Sequence, residues 1–389
     1  MLDFDIIIVG AGLVGASLAA ALRGSAFKLA VIESHAVPPP PACGEWDSRI
    51  YAISPGSADF LARCGVWDRL DHERIEQVTD MEVYGDDGKS RLAFSAYESG
   101  VAELCHIVEG RALADALWRV LEEHESAQLL RPARCASLAF GADDAELRME
   151  NSEALRARLI VGADGADSWV RQAAGIEVDT RPYRQSAVVA NFDSAHPHRG
   201  VARQWFRSDG VLALLPLAGQ RVSMVWSTDE EHALELLKCA AGELCALVAE
   251  AAGGKTGELQ LITPARAFAL RAQKLAHCVA PRLALIGDAA HNVHPLAGQG
   301  VNLGFQDARE LAAVLARREA RIDCGDLALL RRYQRARRES VLTMQVATDS
   351  LHALFGSRNA TVAWLRNTGL AATGRLPNLK HLLVKQALA

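Results

Sequence analysis

Residues 287–307, GDAAHNVHPLAGQGVNLGFQD, bring two histidines, two aspartates, four glycines and a proline into one short segment. Such a set can ligate a metal, serve a hydrolase, or hold an anionic, hydroxyl-rich ligand. Zinc pairs on helices favour i, i+4 spacing with further ligands close by. His291 and His294 are three apart, Pro295 separates them from the following helix, and no cysteine or glutamate cluster accompanies them, so both read as structural residues and no metal is expected. A serine hydrolase is excluded by the absence of a GxSxG elbow. What remains is a ligand clamp. Asp288 follows an apolar strand and can accept bonds from ribose or ribityl hydroxyls. The turn Pro295-Leu-Ala-Gly298-Gln-Gly300 presents backbone amides ahead of a helix marked by Val301, Phe305, Ala308, Ala312 and Leu315 at helical spacing.

The elements that must position this clamp begin at the N-terminus. FDIIIV (4–9) is a continuous apolar run of the kind a buried parallel strand shows. It leads into Gly10-Ala-Gly12-Leu-Val-Gly15, a helix, and a second strand, KLAVIE, ending at Glu33, eighteen residues after Gly15. Gly10 permits the tight turn, Gly12 lets backbone approach a pyrophosphate, Gly15 lets the helix pack against the strand, and Glu33 can accept from an adenosine ribose. Two further strand-to-turn units, ARLIVGADGADSWVRQAAG (157–175) with Asp164-Gly165 and RLALIGDAAH (282–291) with Asp288, have the same form. Asp164-Gly165 can equally be a helix-capping turn.

Three glycine–acid turns at the carboxyl ends of three strands belong around one extended ligand. The helix after Gly300 would aim its N-terminal amides, from Gly300 to Asn302, at the pyrimidine edge of an isoalloxazine, where they stabilise the negative charge of a reduced flavin. The cofactor these parts point to is FAD.

VGAGLVG, VGADGADSWVR and GDAAHNVHPLAGQGVNLG resemble the three flavin motifs of the single-component aromatic monooxygenases related to p-hydroxybenzoate hydroxylase. Within that group, HPLAGQGVNLGFQD is similar to the signature of the ubiquinone-biosynthesis hydroxylases of the UbiH/UbiF/VisC type. DSRIYAISPGSADFLARCGVWDRL (47–70), HIVEGRALADAL (106–117), LALLPLAGQRVSMVWS (212–227) and LRRYQRARR (330–338) agree, while VEGR at 108–111 departs from relatives that carry asparagine before the arginine. The resemblance implies that Gly10, Gly12, Gly15 and Glu33 hold the AMP half and that Arg49 and Arg111 lie along the pyrophosphate or flavin edge. It further implies that Asp164 and Gly165 serve FAD and NAD(P)H contact, that Asp288, Gly298, Gly300, Val301 and Asn302 meet the ribityl and isoalloxazine, and that Pro295 and Gly300 form the flavin environment near the reactive face. The reaction it implies uses NAD(P)H as a transient co-substrate and O2. One oxygen passes through a flavin C4a-hydroperoxide to a prenylated phenol or quinone precursor, and the cofactor carries the chemistry without a protein acid or base. Presentation of the prenyl tail would fall to an apolar channel, a membrane surface or partners in a ubiquinone-biosynthesis complex. Other readings remain open: hydroxylation of a small soluble aromatic, reduction of isoprenoid double bonds, or a non-catalytic FAD-bound scaffold.

With 389 residues, half of them apolar, the chain can bury two joined cores. The expected fold is α/β: a Rossmann-like FAD-binding domain (1–75, 101–180 and 276–340), an interleaved antiparallel β-sheet substrate domain (76–100 and 181–275), and a helical C-terminal region (341–389). VARQWFRSDG, VLALLPLAG and QRVSMVWST read as antiparallel hairpins, and 229–253 as helix. Trp205, Phe206, Leu215 and Trp226 are candidate substrate-lining residues on that sheet, with ordinary core packing as the competing role. PPPP (38–41) reads as an extended connector. A net charge of −5 gives no attraction to nucleic acid, and RRYQRARR (331–338) reads as a solvated helix face. The eight cysteines form no CxxC pair, and no secretory signal or apolar run of membrane-spanning length stands out, so a cytoplasmic protein is expected. The C-terminal KHLLVKQALA can either touch a bilayer or partner or simply finish the domain.

Overall fold

Phe4–Val9 is an inner strand of a sheet that pairs in parallel with Ala154–Gly162 on one side and Leu29–Ile32 on the other. Leu283–Leu285 and Ala127–Leu130 extend it in parallel outward, and the antiparallel strands Cys135–Phe140 and Ala145–Met149 bring the sheet to eight strands with Val279–Ala280. The computed structural model describes residues 2–36, 39–87, 90–292 and 300–356. The unbroken apolar run follows from cover on both faces. Ile6 and Ile8 join a core with Leu18, Leu117 and Phe305, whereas Ile7 and Val9 join a second core with Leu147 and Met149. Ile6, Ile7 and Ile8 are fully buried, each contributing about 1.5–3 kcal/mol of transfer free energy.

The helices in chain order are α1 (Leu13–Ala21), α2 (Pro55–Arg63), α3 (Ala96–Ser99), α4 (Gly110–Glu122), α5 (Trp169–Ala173), α6 (Glu230–Lys238), α7 (Ala241–Ala251), α8 (Gly300–Ala316) and α9 (Leu327–Gly356). Leu18 of α1, Leu117 of α4, Phe305 and Leu311 of α8, and Tyr333 of α9 cover one face of the parallel sheet. The basic cluster on α9 is divided by helical periodicity. Arg331, Arg332, Arg335 and Arg338 are exposed, while Tyr333 and Arg337 are buried.

A second sheet of eight strands holds the expected hairpins. Val201–Arg207, Gly210–Leu217 and Arg221–Asp229 pair antiparallel, with Trp205 opposite Leu212 and Leu212 opposite Trp226. The seventeen-residue strand Val178–Ser194 pairs with Arg221–Asp229 and with Arg266–Leu275, and Asp80–Tyr84 adds in parallel to Val201–Arg207. The helix expected over 229–253 is two helices, α6 and α7, separated by extended backbone at Cys239 and Ala240. The break lets both apolar faces follow a twisted sheet, burying Leu236 from α6 and Leu244 and Val248 from α7. Strands Ile50–Ile53, Cys105–Glu109 and Glu76–Val78 form a small third sheet. No helix among the described residues is long and apolar enough to cross a membrane.

Candidate active site

Four adjacent parallel strands each deliver a turn to one cavity of about 940 Å3. Gly10 and Gly12 follow Phe4–Val9, Glu33 follows Leu29–Ile32, Asp164 and Gly165 follow Ala154–Gly162, and Asp288 follows Leu283–Leu285; all line it. Ligands of open parallel sheets sit at such carboxyl ends. The cavity then continues along one face of the second sheet, past Ala187, Val189, Ala202, Ala213, Leu215 and Val225.

The glycine turn is closed by backbone contact. Gly10 has φ +94°, and a Cβ there would lie 2.5 Å from the Ala163 carbonyl oxygen. A Cβ on Gly15 would lie 1.9 Å from the Gly10 carbonyl oxygen, so α1 reaches its place only because that position is bare. At Gly12, by contrast, added atoms meet nothing within 4 Å, and no side chain caps α1 there. The first N–H groups of α1 thus face open space, as a pyrophosphate requires. Glu33 fixes the loop while lining the cavity: one carboxylate oxygen accepts from the Ala11 amide at 2.8 Å and the other from the His35 amide at 3.0 Å.

Asp164 serves the capping turn while lining the cavity. Its Oδ2 accepts from the Val170 amide at 3.0 Å and steadies α5, whose own N-cap is Ser168; its buried Oδ1 has no hydrogen-bond partner among the described residues. Asp288 stands at the cavity floor. Its surface is open to the cavity, yet burial by the surrounding protein raises its carboxyl pKa, and the nearby charges of His291 and Arg49 offset this only in part. Burial likewise raises the Tyr51 phenol beside it. The open cradle at Gly12, Gly165 and Gly300, with an unpartnered carboxylate oxygen between, fits an extended, hydroxyl-rich dinucleotide such as FAD.

Beneath the opening segment of α8 lies a buried ionic knot. Asp307 accepts from His291 Nε2 at 2.6 Å, from the Gly287 amide at 2.9 Å and from Arg337 Nε at 2.6 Å. Arg337 also donates to Gln306 and to the Leu303 carbonyl. Burial works against the charged forms, but the mutual attraction and hydrogen bonds hold His291 above and Asp307 below their ordinary pKa values. His291 is therefore spent on holding the strand-end turn against α8 and α9. No group of three or more metal-ligating side chains occurs among the described residues.

Several expected residues do other work. Arg49 and Val301 line the cavity with Gly300, Arg49 stacking 4.9 Å from the Phe268 ring. Arg111 does not line it. Its guanidinium donates to the Pro39 and Pro40 carbonyls, and its amide donates to Asp47, so it pins the proline connector. Asn302 places its side chain away from the lining, bridging the Ala52 carbonyl and the Ser54 amide and so tying α8 to the strand Ile50–Ile53. Leu215 lines the cavity, whereas Trp205 and Trp226 do not: strand alternation puts both on the opposite face, against the core of α6 and α7. Phe206 packs with Val83 and Leu92 outside the lining. Pro295, Gly298 and His294 lie outside the described residues.

Sequence reasoning missed Asp47, which organises the segment before Arg49. Its carboxylate accepts from the Arg49 and Arg111 amides, its carbonyl accepts from Asn191, and its own amide donates to Glu109, which Arg74 holds at 2.7 Å. It missed too the polar side chains set into the apolar sheet face, Gln204, Ser223 and Ser227. Ser223 Oγ is buried without a partner among the described residues. A polar residue at an inward position of an alternating strand is the signal that was available for these.

The FAD binding domain family matches residues 3–348, and the chain is an FAD-binding monooxygenase of the p-hydroxybenzoate hydroxylase-like fold. Within that class the chain belongs to the family of ubiquinone-biosynthesis hydroxylases. It is 36% identical over 387 residues to the ubiquinone hydroxylase UbiL of Rhodospirillum rubrum, covering 99% of this chain and 89% of that one. It is also 36% identical over 388 residues to the 3-demethoxyubiquinol 3-hydroxylase of Escherichia coli, covering 99% and 98%. Among solved structures it is similar to PqsL, a probable FAD-dependent monooxygenase from Pseudomonas aeruginosa, with a TM-score of 0.78 and 26% identity over 95% of this chain and 100% of that one.

Proposed function

We propose that this chain hydroxylates the aromatic ring of a prenylated phenol or quinol precursor of ubiquinone, using NAD(P)H and O2. The observation that carries this reading is the single cavity that joins the dinucleotide turns to a largely apolar sheet face. Its relatives' hydroxylase names support the substrate class. When bound and reduced, FAD supplies the activation of O2.

The chain's own residues then bind, orient and exclude water. Gly10, Gly12, Gly15 and Glu33 hold the AMP half; Asp164, Gly165 and Asp288 take the central hydroxyls; Arg49 and the amides from Gly300 to Asn302 border the ring system, and the sequence adds Pro295 and Gly298 as flavin contacts outside the described residues. Ala187, Val189, Ala202, Ala213, Leu215 and Val225 keep the reacting region dry, which strengthens every polar contact made inside it. Ser223 and Gln204 orient the oxygen substituents of the ring. No proton is assigned to a protein acid or base. NAD(P)H visits transiently, and the antiparallel sheet that lines the far part of the cavity serves as the substrate domain above the flavin. The prenyl tail leaves the cavity toward a membrane surface or partner proteins at a cytoplasmic site.

Ser223→Ala separates binding chemistry from folding. Removing an unpartnered buried hydroxyl leaves stability equal or slightly higher, while losing one hydrogen bond to substrate lowers kcat/KM roughly 3–10-fold. Equal kcat/KM in the two proteins would remove Ser223 from the substrate contacts.

The overall reading is tested by following NAD(P)H oxidation by the FAD-loaded protein. Stimulation by a prenylated phenol, with stoichiometric hydroxylated product, is expected. Equal turnover of the phenol without its tail would favour a small soluble aromatic, and flavin binding without any substrate stimulation would favour a scaffold.

A further inference from the structure

A second cavity, of about 340 Å3, shares no lining residue with the flavin site. It is a recess between α1, α2 and α8, with Ala20, Ala312 and Phe60 among its walls. Arg23, Arg63 and Arg309 all line it, and no acidic residue does. The small side chains of α1 and α8 leave the recess hollow, so three arginines border a space instead of a packed surface.

Helix dipoles explain part of this arrangement. Arg63 ends α2 and Arg23 follows the end of α1, where positive charge is favourable. Arg309 has no such reason, since it lies in the interior of α8 and is half-buried. Burial, and then the like charges of Arg337 and Arg63, hold its guanidinium below the ordinary pKa, and Glu310 offsets this only in part. Glu123 lies within the field of Arg23 but is already held at two oxygens by Arg69. Arg23 and Arg63 are exposed and solvated, whereas the half-buried Arg309 meets a hollow with no acid among its walls, a charge that an anion would answer.

We propose that this recess binds a phosphate group, gripped by Arg23, Arg63 and Arg309. Guanidinium forks match phosphate oxygens in pairs. A phosphate monoester, carrying about −1.5 to −2 at pH 7, answers three cations better than a single carboxylate does. The phosphate monoester belongs either to a soluble ligand or to the headgroup of a phosphatidic acid lipid, and both present three terminal oxygens to the same side chains.

The test uses the full-length, FAD-loaded chain, so that the flavin site is filled. Thermal unfolding is followed while inorganic phosphate replaces chloride at constant ionic strength. The wild type should gain roughly 1–2 °C at ten times the dissociation constant, the gain rising with the logarithm of phosphate concentration. Arg309→Gln should lose this gain, keep its flavin content, and melt at or above the wild-type temperature without phosphate, because repulsion has been removed. Arg63→Gln, at an exposed position, should weaken the phosphate response without affecting the fold. In parallel, flotation is measured with vesicles of phosphatidic acid in phosphatidylcholine and with phosphatidylcholine vesicles. Binding to the former alone, lost in Arg309→Gln, assigns the phosphate to a lipid headgroup; phosphate protection without vesicle binding assigns it to a soluble ligand. Phosphate responses that are absent, or equal in wild type and both variants, overturn the proposal.

Discussion

Gly15→Ala is expected to purify with little or no bound FAD. The added methyl would sit 1.9 Å from the Gly10 carbonyl oxygen and 3.0 Å from the Ala163 Cβ, and the first of these is backbone held in the turn. Gly10 cannot yield, because its own φ of +94° places it hard against Ala163. Helix α1 must therefore back away, and α8 stands behind it: a Cβ on Gly304 would already lie 2.4 Å from Val14. Overpacking of this kind costs about 1–3 kcal/mol and more where backbone opposes backbone, so flavin affinity should fall roughly tenfold to several hundredfold. The ratio of flavin to protein absorbance, with circular dichroism as the check on folding, measures it. A folded Gly15→Ala protein with stoichiometric, tightly held FAD would show that the turn and α1 are not the phosphate cradle.

Asp307→Asn should be the most destabilising single change in the opening segment. It strands two buried cations, His291 and Arg337, whose shared carboxylate also accepts from the Gly287 amide. Breaking a buried ion pair from one side costs about 3–5 kcal/mol. The loss should be visible as a lower denaturation midpoint, with flavin released in the same transition because Asp288 adjoins the Gly287 turn.

The pH signature follows from the directions of the two shifts. The lowered Asp307 carboxyl contributes stability that is full above its unfolded value of about 3.9 and is lost as pH falls through its folded value. The raised His291 contributes stability that is full below about 6.5 and is lost as pH rises through its folded value. The wild type should therefore gain most from the pair between those two limits, and Asp307→Asn should lose that gain and flatten the falls on either side of it. A variant with an unchanged profile would mean that the knot carries no charge.

What the sequence displayed most openly was the flavin half of the molecule. Phe4–Val9, Ala154–Gly162 and Leu283–Leu285 lie side by side because each is a short apolar run, and a run buried on both faces reads the same way from either side. The turns after them carry glycines and acids whose demands are local, so Gly10, Asp164 and Asp288 could be placed without knowing the fold. The roofing sheet was legible as hairpins but not as faces. Alternation separates Trp205 from Gln204, yet only the packing of α6 and α7 decides which of the two meets the cavity: Trp205 and Trp226 went to the helix side, the core role held open for them. Arg111 and Asn302 escaped for a related reason. Their partners, the Pro39 carbonyl and the Ala52 carbonyl, are 72 and 250 residues distant, and no spacing within a motif encodes such contacts. Arg337 was hidden inside a basic cluster that otherwise does face solvent, and helical periodicity singles it out only once its buried partner Asp307 is known.

The most direct test of the proposed reaction is extraction of quinones and their precursors, with mass spectrometry, from cells that lack this chain and from the same cells with it restored. The expected result is accumulation of a prenylated phenol lighter than its successor by one oxygen atom, cleared on restoration by the wild type but not by Gly15→Ala. An unchanged ubiquinone pool with no such intermediate, in cells carrying no second hydroxylase for that ring position, would contradict it.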